Sequence, residues 1–483
     1  MTRDMPSELR EVRTSIPNKL VEEVAPSLAV AVAKDGEIIW EQGFGWADRE
    51  RHVPSTEHTM YSLASISKPI TATGLMVLAE RGKLDLDRPI DDYLGSAKIN
   101  GRAWDAAGAT VRRVANHTAG LPLHYHFFPE DEPFRRPAMD ETIRRYANLV
   151  TVPGERYHYS NLGYGLLDYV IARLSGKPYA DFMRQEVFLP LGLTRTSVDV
   201  GPGLEPYQAV RYGRDGLPLP YYDFDHPGGS AVFASAHDLV RFGMFHLKEH
   251  PADQKAILTD ATLDIMHTPT VSTRESAGYG IGWAIDENDM GYRSISHDGG
   301  MSGVVTALKL IPSERLVVTV LANASNPLPH AVAREILSAL LPDYAARRAQ
   351  REPEQEALRE PGEGQPGSFQ PPADLRGEWS GAISTYKGDL PLRLWAKESG
   401  DVQAQLGDQL KTLVNDPQLK DGRLTGKLLG DVGTEDANRK PYHLQLDLKQ
   451  RGDVLNGAVV AMSLPSVRLG NGLSHWAELR KTG

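Results

Sequence analysis

Cysteine is absent from all 483 residues. That excludes disulfides, a thiolate nucleophile and cysteine-ligated zinc. No apolar run approaches the roughly 18 residues that a membrane span needs. The opening stretch, MTRDMPSELREVRTSIPNKL, lacks the apolar core of a secretory signal. The chain therefore reads as cytoplasmic, with no membrane partner. Basic residues are not in excess either. Fifty-three Lys and Arg against 63 Asp and Glu leave a net charge of −10, which argues against nucleic acid or an anionic surface as a partner. HExxH and HxHxDH are missing, and His124 with His126 supplies only two ligands, so neither metal nor cofactor is expected. Asn116-His117-Thr118 is formally a glycosylation acceptor, but carries no weight without a signal peptide.

Hydrophobic residues make up 41% and charged residues 24%, enough for a sizeable soluble core. Residues 27–46 read as a β-hairpin, because SLAVAVA meets Asp35-Gly36 and returns as EIIWEQGFG. A helix is predicted from Ser67 to Gly82, with Leu75, Leu78 and Ala79 at helical spacing. Mixed helices and Pro/Gly-rich loops follow to about residue 275. The aromatic, charged loop 124–137 fits a pocket wall or a solvated surface loop equally well. Strand signals return at YGIGWAID, GYRSISH, VVTALKLIP and RLVVTVLAN, and the helix AVAREILSALL closes the unit. Strands at both ends with helices between predict an α/β (α+β) domain, residues 1–344, whose antiparallel sheet is completed by both ends of the segment. Residues 345–372, rich in charge, Pro, Gly and Gln, have linker composition. Residues 373–483 read as short strands: Leu444, Leu446 and Leu448 alternate with polar residues, predicting a small all-β barrel or sandwich.

Three short patterns carry chemistry. In Ser65-Ile66-Ser67-Lys68 a serine and a lysine share one face at a helix start, so the amine can sit beside a hydroxyl that needs a base to become a nucleophile. A second SxxK, Ser384 to Lys387, lies in the C-terminal strands and is read as accidental. Tyr159-Ser160-Asn161 lies at a loop-to-helix junction suited to presenting a proton relay and an amide. Its duplicate, Tyr146-Ala147-Asn148, is predicted inside a helix, where a tyrosine packs. His297-Asp298-Gly299 follows one strand signal and leads into another. The other two forms of this third pattern fit worse. Lys481-Thr482-Gly483 is the chain end, and His226-Pro227-Gly228 is placed in a loop whose proline cannot donate to a sheet edge.

In order, spacing and flanks, the set Ser65/Lys68, Tyr159/Asn161 and His297/Gly299 resembles the serine β-lactamase and penicillin-binding-protein family. The likeness is closest to the class C-like branch that includes esterases and D-aminopeptidases. It covers about residues 20–340, with NHTAGLP, VPGERYHYSNLGYGLL and PGGSAVFASAHDLVRF among the matching strings. The resemblance implies a β-lactamase/transpeptidase-like fold with a helical subdomain. It implies Ser65 as acylated nucleophile, Lys68 and Tyr159 as proton-transfer partners, and Asn161 as a holder of substrate or of Lys68. The backbone N–H groups of Ser65 and Gly300 would form the oxyanion hole. Residues 373–483, with Gly377-Glu378-Trp379 near their start, resemble the lipocalin-like domain that trails some members, and would leave oligomerisation open. In penicillin-hydrolysing relatives the third motif is Lys-Thr-Gly, whose cation and hydroxyl help hold a substrate carboxylate. Here His297 and Asp298 stand instead, so neutral small esters or amides are the expected substrates, with D-aminopeptidase, DD-peptidase or β-lactamase activity as alternatives. A catalytically silent scaffold of the same fold is the alternative from another class.

Overall fold

A computed structural model describes residues 5–359 and 369–482; Gly483, and with it the full Lys-Thr-Gly terminus, lies outside them. Helix α1 (Arg10–Glu22) leads into β1 (Ser27–Lys34), β2 (Glu37–Asp48) and β3 (Val53–Pro54). Asp35 and Gly36 have φ of 53° and 79°. Two consecutive positive φ values make the turn whose twist matches a hairpin, and β1 pairs with β2 as expected. The core helices are α2 (Ser67–Glu80), α3 (Asn161–Ser175) and α4 (Ala236–His246). Strands β4 (Val271–Arg274), β5 (Ala277–Tyr279), β6 (Ala284–Asp289), β7 (Tyr292–Met301), β8 (Val304–Ile311) and β9 (Leu316–Ala322) follow, then α5 (Leu328–Leu340) and α6 (Pro342–Arg359).

The nine strands form one antiparallel sheet in the order β3-β2-β1-β9-β8-β7-β6-β5-β4. The first strand thus pairs with the last, Val30 opposite Val320. Alternation with period two sorts β1 between two cores. Leu28, Val30 and Val32 pack with α1 and α5, while Ala29, Ala31 and Ala33 face the layer containing α2 and α4. Helix α2 is buried nearly all round, so it is the central rod of the molecule rather than a surface helix. Gly82 ends it with φ of 67°, and the amides of Gly82 and Lys83 reach back to Ala79 and Leu78 carbonyls at 2.9 and 3.0 Å.

The charged stretch from residue 345 begins as helix, since α6 runs to Arg359. Its Ala, Arg, Gln and Glu are good helix formers, which composition alone read as linker; residues 360–368 lie outside the described ones. Nine further antiparallel strands, from Gly377–Thr385 to Gly472–Lys481, make a nearly closed barrel in which these first and last strands pair. Leu444, Leu446 and Leu448 all point into its core, as their alternation predicts. Among the described residues no helix is long and apolar enough to cross a membrane.

The barrel packs on the first unit through an apolar patch, where Trp104 and Val150 meet Trp476 and Val460, and through polar contacts. Tyr125 and Gly472 exchange backbone hydrogen bonds of 2.9 Å. The Phe127 amide donates to Asn471 Oδ1 at 2.9 Å, and Arg439 donates to His126 and to Glu132. Residues 124–128 are therefore mostly buried beneath the barrel, a contact between residues over 300 positions apart that local sequence does not announce. Tyr146 ends its helix (Met139–Tyr146) and donates to Asp436 at 2.6 Å, so the duplicate YxN pattern is a packing feature at the interface.

Candidate active site

Ser65 sits on a single tight turn, Ala64–Ile66, that runs directly into α2. Ala64 has φ of 47°, a strained value for a residue with a β-carbon, of the kind that clusters at functional sites. Two strands pin this turn. Thr306 of β8 donates to the Leu63 carbonyl at 3.0 Å. On β7, a β-carbon at Gly299 would collide with that same carbonyl and with Thr306 Oγ1. Glycine is required there for the strand to approach the serine turn. Pairing of β6 with β7 stops at Ser296, so the edge of β7 from His297 onward lies open beside Ser65.

One turn along α2, Lys68 is fully buried. Its Nζ lies 3.2 Å from Ser65 Oγ, 2.9 Å from Asn161 Oδ1 and 3.0 Å from the Gly229 carbonyl. Among the described residues no carboxylate pairs with it, and burial alone drives its pKa well below the ordinary lysine value. Two of its neighbours, an amide oxygen and a carbonyl, can only accept. They consume the two N–H bonds of a neutral amine and leave its lone pair facing the Ser65 hydroxyl. That is the geometry of a general base.

Tyr159 closes the other side. Ser160, in extended backbone, caps α3 by accepting the Gly163 amide at 3.0 Å, which sets Tyr159 just before the helix and Asn161 on its first turn. The Tyr159 ring lies 4.7 Å from Lys68 Nζ. Burial raises the phenol's pKa, and its contact with Ser65 draws it partly back. His117 supports the junction: its Nδ1 accepts the Ser160 amide at 3.1 Å, and its ring lies 4.4 Å from that of Tyr159. The sequence offered His117 only within a formal glycosylation triplet and the matching string NHTAGLP, with no role of its own.

His297 is buried, with Nε2 2.9 Å from the Tyr279 hydroxyl and Nδ1 2.8 Å from the Asp298 carbonyl. Only a neutral ring donates from Nδ1 and accepts at Nε2. Burial, reinforced by Lys68, pushes its pKa down to about 3. Asp298, next along the strand, turns its side chain outward, 61% exposed and 3.8 Å from His330 Nδ1. It stands at the cleft rim rather than against Ser65.

Two arms of a cleft meet at Ser65 and Tyr159. The smaller, about 480 Å³, passes His297 toward Asp286, Asp289 and Asp298. Arg274 pairs with Asp286 at 2.7 Å and Lys309 with Asp289 at 2.6 Å. The larger, about 1010 Å³, runs past Gly300 and His226 and is walled on one side by barrel residues Pro465–Arg468. The discarded His226 thus borders the cavity, at the start of a one-turn helix, Pro227–Ser230, whose Gly229 carbonyl holds Lys68. Ser384 and Lys387 are remote partners of Asp389 and Glu435.

The Beta-lactamase family model matches residues 13–343. A penicillin-binding protein of Bacillus subtilis is 28% identical over 316 residues, covering 61% of this chain and 67% of its own length. A hydrolase of unguisins from Aspergillus campestris is 27% identical over 323 residues, covering 62% of this chain and 59% of its own. Among solved structures, an octameric penicillin-binding protein homologue from Pyrococcus abyssi superposes with a TM-score of 0.61 at 20% identity, covering 97% of this chain and 99% of that one. That coverage takes in the C-terminal barrel as well.

Proposed function

The chain belongs to the Beta-lactamase family of serine hydrolases, and from that premise we propose that it cleaves ester or amide bonds through a covalent acyl-enzyme on Ser65. The observation that carries this reading is the buried Lys68 Nζ, 3.2 Å from Ser65 Oγ and held by the acceptors Asn161 Oδ1 and Gly229 carbonyl, a place from which a neutral amine turns its lone pair to the serine. Lys68 accepts the serine proton as the hydroxyl attacks the carbonyl. Tyr159, facing the same hydroxyl, relays a proton to the departing group. The N–H groups of Ser65 and Gly300 receive the developing oxyanion, each worth about 3–4 kcal/mol of barrier. Asn161 positions Lys68. Fluorophosphonate labelling of Ser65, lost on inhibition by a slow ester substrate, tests the proposal.

The same reading holds that neutral small esters and amides are preferred. His297 offers no cation, and Asp298 at the rim of the smaller arm would repel a carboxylate placed there. Two unit charges about 4 Å apart at an effective dielectric near 20 interact by about 4 kcal/mol, and a third of that is already about tenfold. We expect kcat/KM for p-nitrophenyl butyrate to exceed that for nitrocefin by at least about tenfold on this account. Equal or faster nitrocefin hydrolysis rejects the preference. The acidic rim favours one second reading, an aminopeptidase for substrates with a free amine. Faster turnover of a D-alanine p-nitroanilide than of its N-acetylated form would support it.

Residues 1–344 are read as the hydrolase unit and 373–483 as a barrel that walls its cavity. A chain ended after residue 344 should still be labelled at Ser65, with KM for p-nitrophenyl butyrate changed several-fold and kcat little altered. An insoluble or unlabelled fragment would mean that the barrel is integral to the hydrolase core. Oligomerisation through the barrel belongs to the same proposal, supported by the octameric Pyrococcus abyssi homologue; a monomeric mass by light scattering rejects it.

A further inference from the structure

Lys68 is aimed only while both of its acceptors stay in place, and one of them is backbone. The Gly229 carbonyl belongs to the one-turn helix Pro227–Ser230. A single turn is not stable by itself. The amides of Gly229 and Ala231 reach the His226 and Pro227 carbonyls at 2.9 and 2.8 Å. Pro227 has no amide to offer, and His226, at the cap position, makes no side-chain bond to the turn. The first free donor is the Gly228 amide, and a buried side chain from another helix takes it. Asp168 Oδ2, on α3, accepts that amide at 2.6 Å.

The other end of the same residue is held as well. Thr71 Oγ1, on α2, donates to the Gly228 carbonyl at 2.6 Å. Gly228 is thus gripped at its amide by α3 and at its carbonyl by α2. The next carbonyl along, that of Gly229, is the one that meets Lys68. The approach is so close that glycine is required: a β-carbon on Gly228 would lie 2.7 Å from the Tyr164 carbonyl and 2.8 Å from Asp168 Cβ. Asn161, Gly165 and Asp168 stand at i, i+4 and i+7 on one face of α3. Asn161 holds Lys68 directly, a β-carbon on Gly165 would lie 3.0 Å from His226 Cα, and Asp168 holds the turn. Asp168 is buried, and burial pushes its carboxyl up to about 8. At pH 7 it is a neutral acid that takes the amide on its carbonyl oxygen, an arrangement that the side-chain amide of asparagine reproduces. Burying a carboxyl in a packed interior is costly, and the contact made in return is with the turn that holds the base.

We propose that Asp168 is a positioning residue for acyl transfer: by accepting the Gly228 amide it fixes the Gly229 carbonyl, and through that carbonyl the direction of the Lys68 lone pair. Asp168 does not line the cleft and acts only through the base. This rests on the acyl-enzyme reading of Ser65.

The test measures the rate at which a fluorophosphonate labels Ser65 in the full chain, followed by mass spectrometry. Asp168→Leu, of similar size but without an acceptor, should slow labelling by about tenfold. Asp168→Asn keeps the acceptor and should recover most of that rate. In turnover of p-nitrophenyl butyrate the loss should fall on kcat, with KM within about twofold. The decisive comparison repeats Asp168→Leu in a Lys68→Met chain. With the base gone there is nothing left to aim, so the residual labelling rate should change by less than about twofold, whereas a residue that only stabilises the fold would cost the same factor in both backgrounds. Thr71→Val releases the other grip on Gly228 and supplies the same pair of measurements if Asp168→Leu does not fold: several-fold slower with Lys68 present, unchanged without it. Wild-type labelling in Asp168→Leu, an Asp168→Asn chain as slow as Asp168→Leu, or equal losses in both backgrounds overturns the inference and spares the hydrolase reading. A wild-type chain that is not labelled at Ser65 removes both.

Discussion

Turnover of p-nitrophenyl butyrate is expected to fall by roughly 10⁴-fold or more when Ser65 is replaced by alanine. The fold should be unaffected, because Ser65 Oγ meets only the site residues Lys68 and Tyr159 and borders an open cleft. The residual rate would come from the oxyanion donors and binding, which the substitution leaves in place. Ser384→Ala is the internal control. That hydroxyl pairs with Asp389 on the exposed barrel surface, and its loss should leave kcat/KM unchanged. Near wild-type activity in Ser65→Ala would place the nucleophile elsewhere.

Lys68→Met should lower kcat by about 10³-fold or more, since the serine loses its base. Lys68→Arg should not rescue it: a guanidinium stays charged at any working pH and has no lone pair to offer. In the wild type, kcat/KM should fall as pH is lowered through the depressed pKa of Lys68, because the ammonium cannot take a proton. The same depression bears on stability. Below about pH 10.5 the unfolded chain holds a proton that the folded chain has released, so Lys68's contribution to stability declines as pH falls from there toward its folded pKa. Below the folded pKa both states hold the proton and this slope ends. Lys68→Met should remove that part of the pH dependence, as read from denaturant midpoints. A Lys68→Arg chain with ordinary activity would show that the residue supplies charge and not basicity.

Much of this was legible because local rules set it. Asp35-Gly36 can make one kind of tight turn, Ser160 can cap only the helix that follows it, and Gly82 stops α2. The hydroxyl-amine pairing of Ser65 and Lys68 follows from i, i+3 geometry alone. What local pattern could not supply was burial and distance. Lys68 in a sequence is a cation; only the enclosing Asn161 and Gly229, 93 and 161 positions away, make it a base. His297 was expected to lack the cation of Lys-Thr-Gly, and the physical reason is its burial against Tyr279. Asp298 was weighed as a pocket residue and stands at the rim. His226 failed a test for a strand edge, and correctly so, yet it opens the one-turn helix whose Gly229 carbonyl holds Lys68. The loop 124–137 could not be assigned to pocket or solvent because its partner, the barrel, is over 300 residues further on. Charged helix formers from residue 345 onward looked like linker because composition does not distinguish a solvated helix from a coil.

Peptide mass spectrometry of the chain after reaction with a fluorophosphonate tests the central claim most directly. The account predicts a single stoichiometric phosphonyl adduct on Ser65, absent from Ser65→Ala and formed much more slowly in Lys68→Met. An unmodified Ser65 in a folded chain that still hydrolyses p-nitrophenyl butyrate, or an adduct on another residue whose loss abolishes that activity, would contradict it.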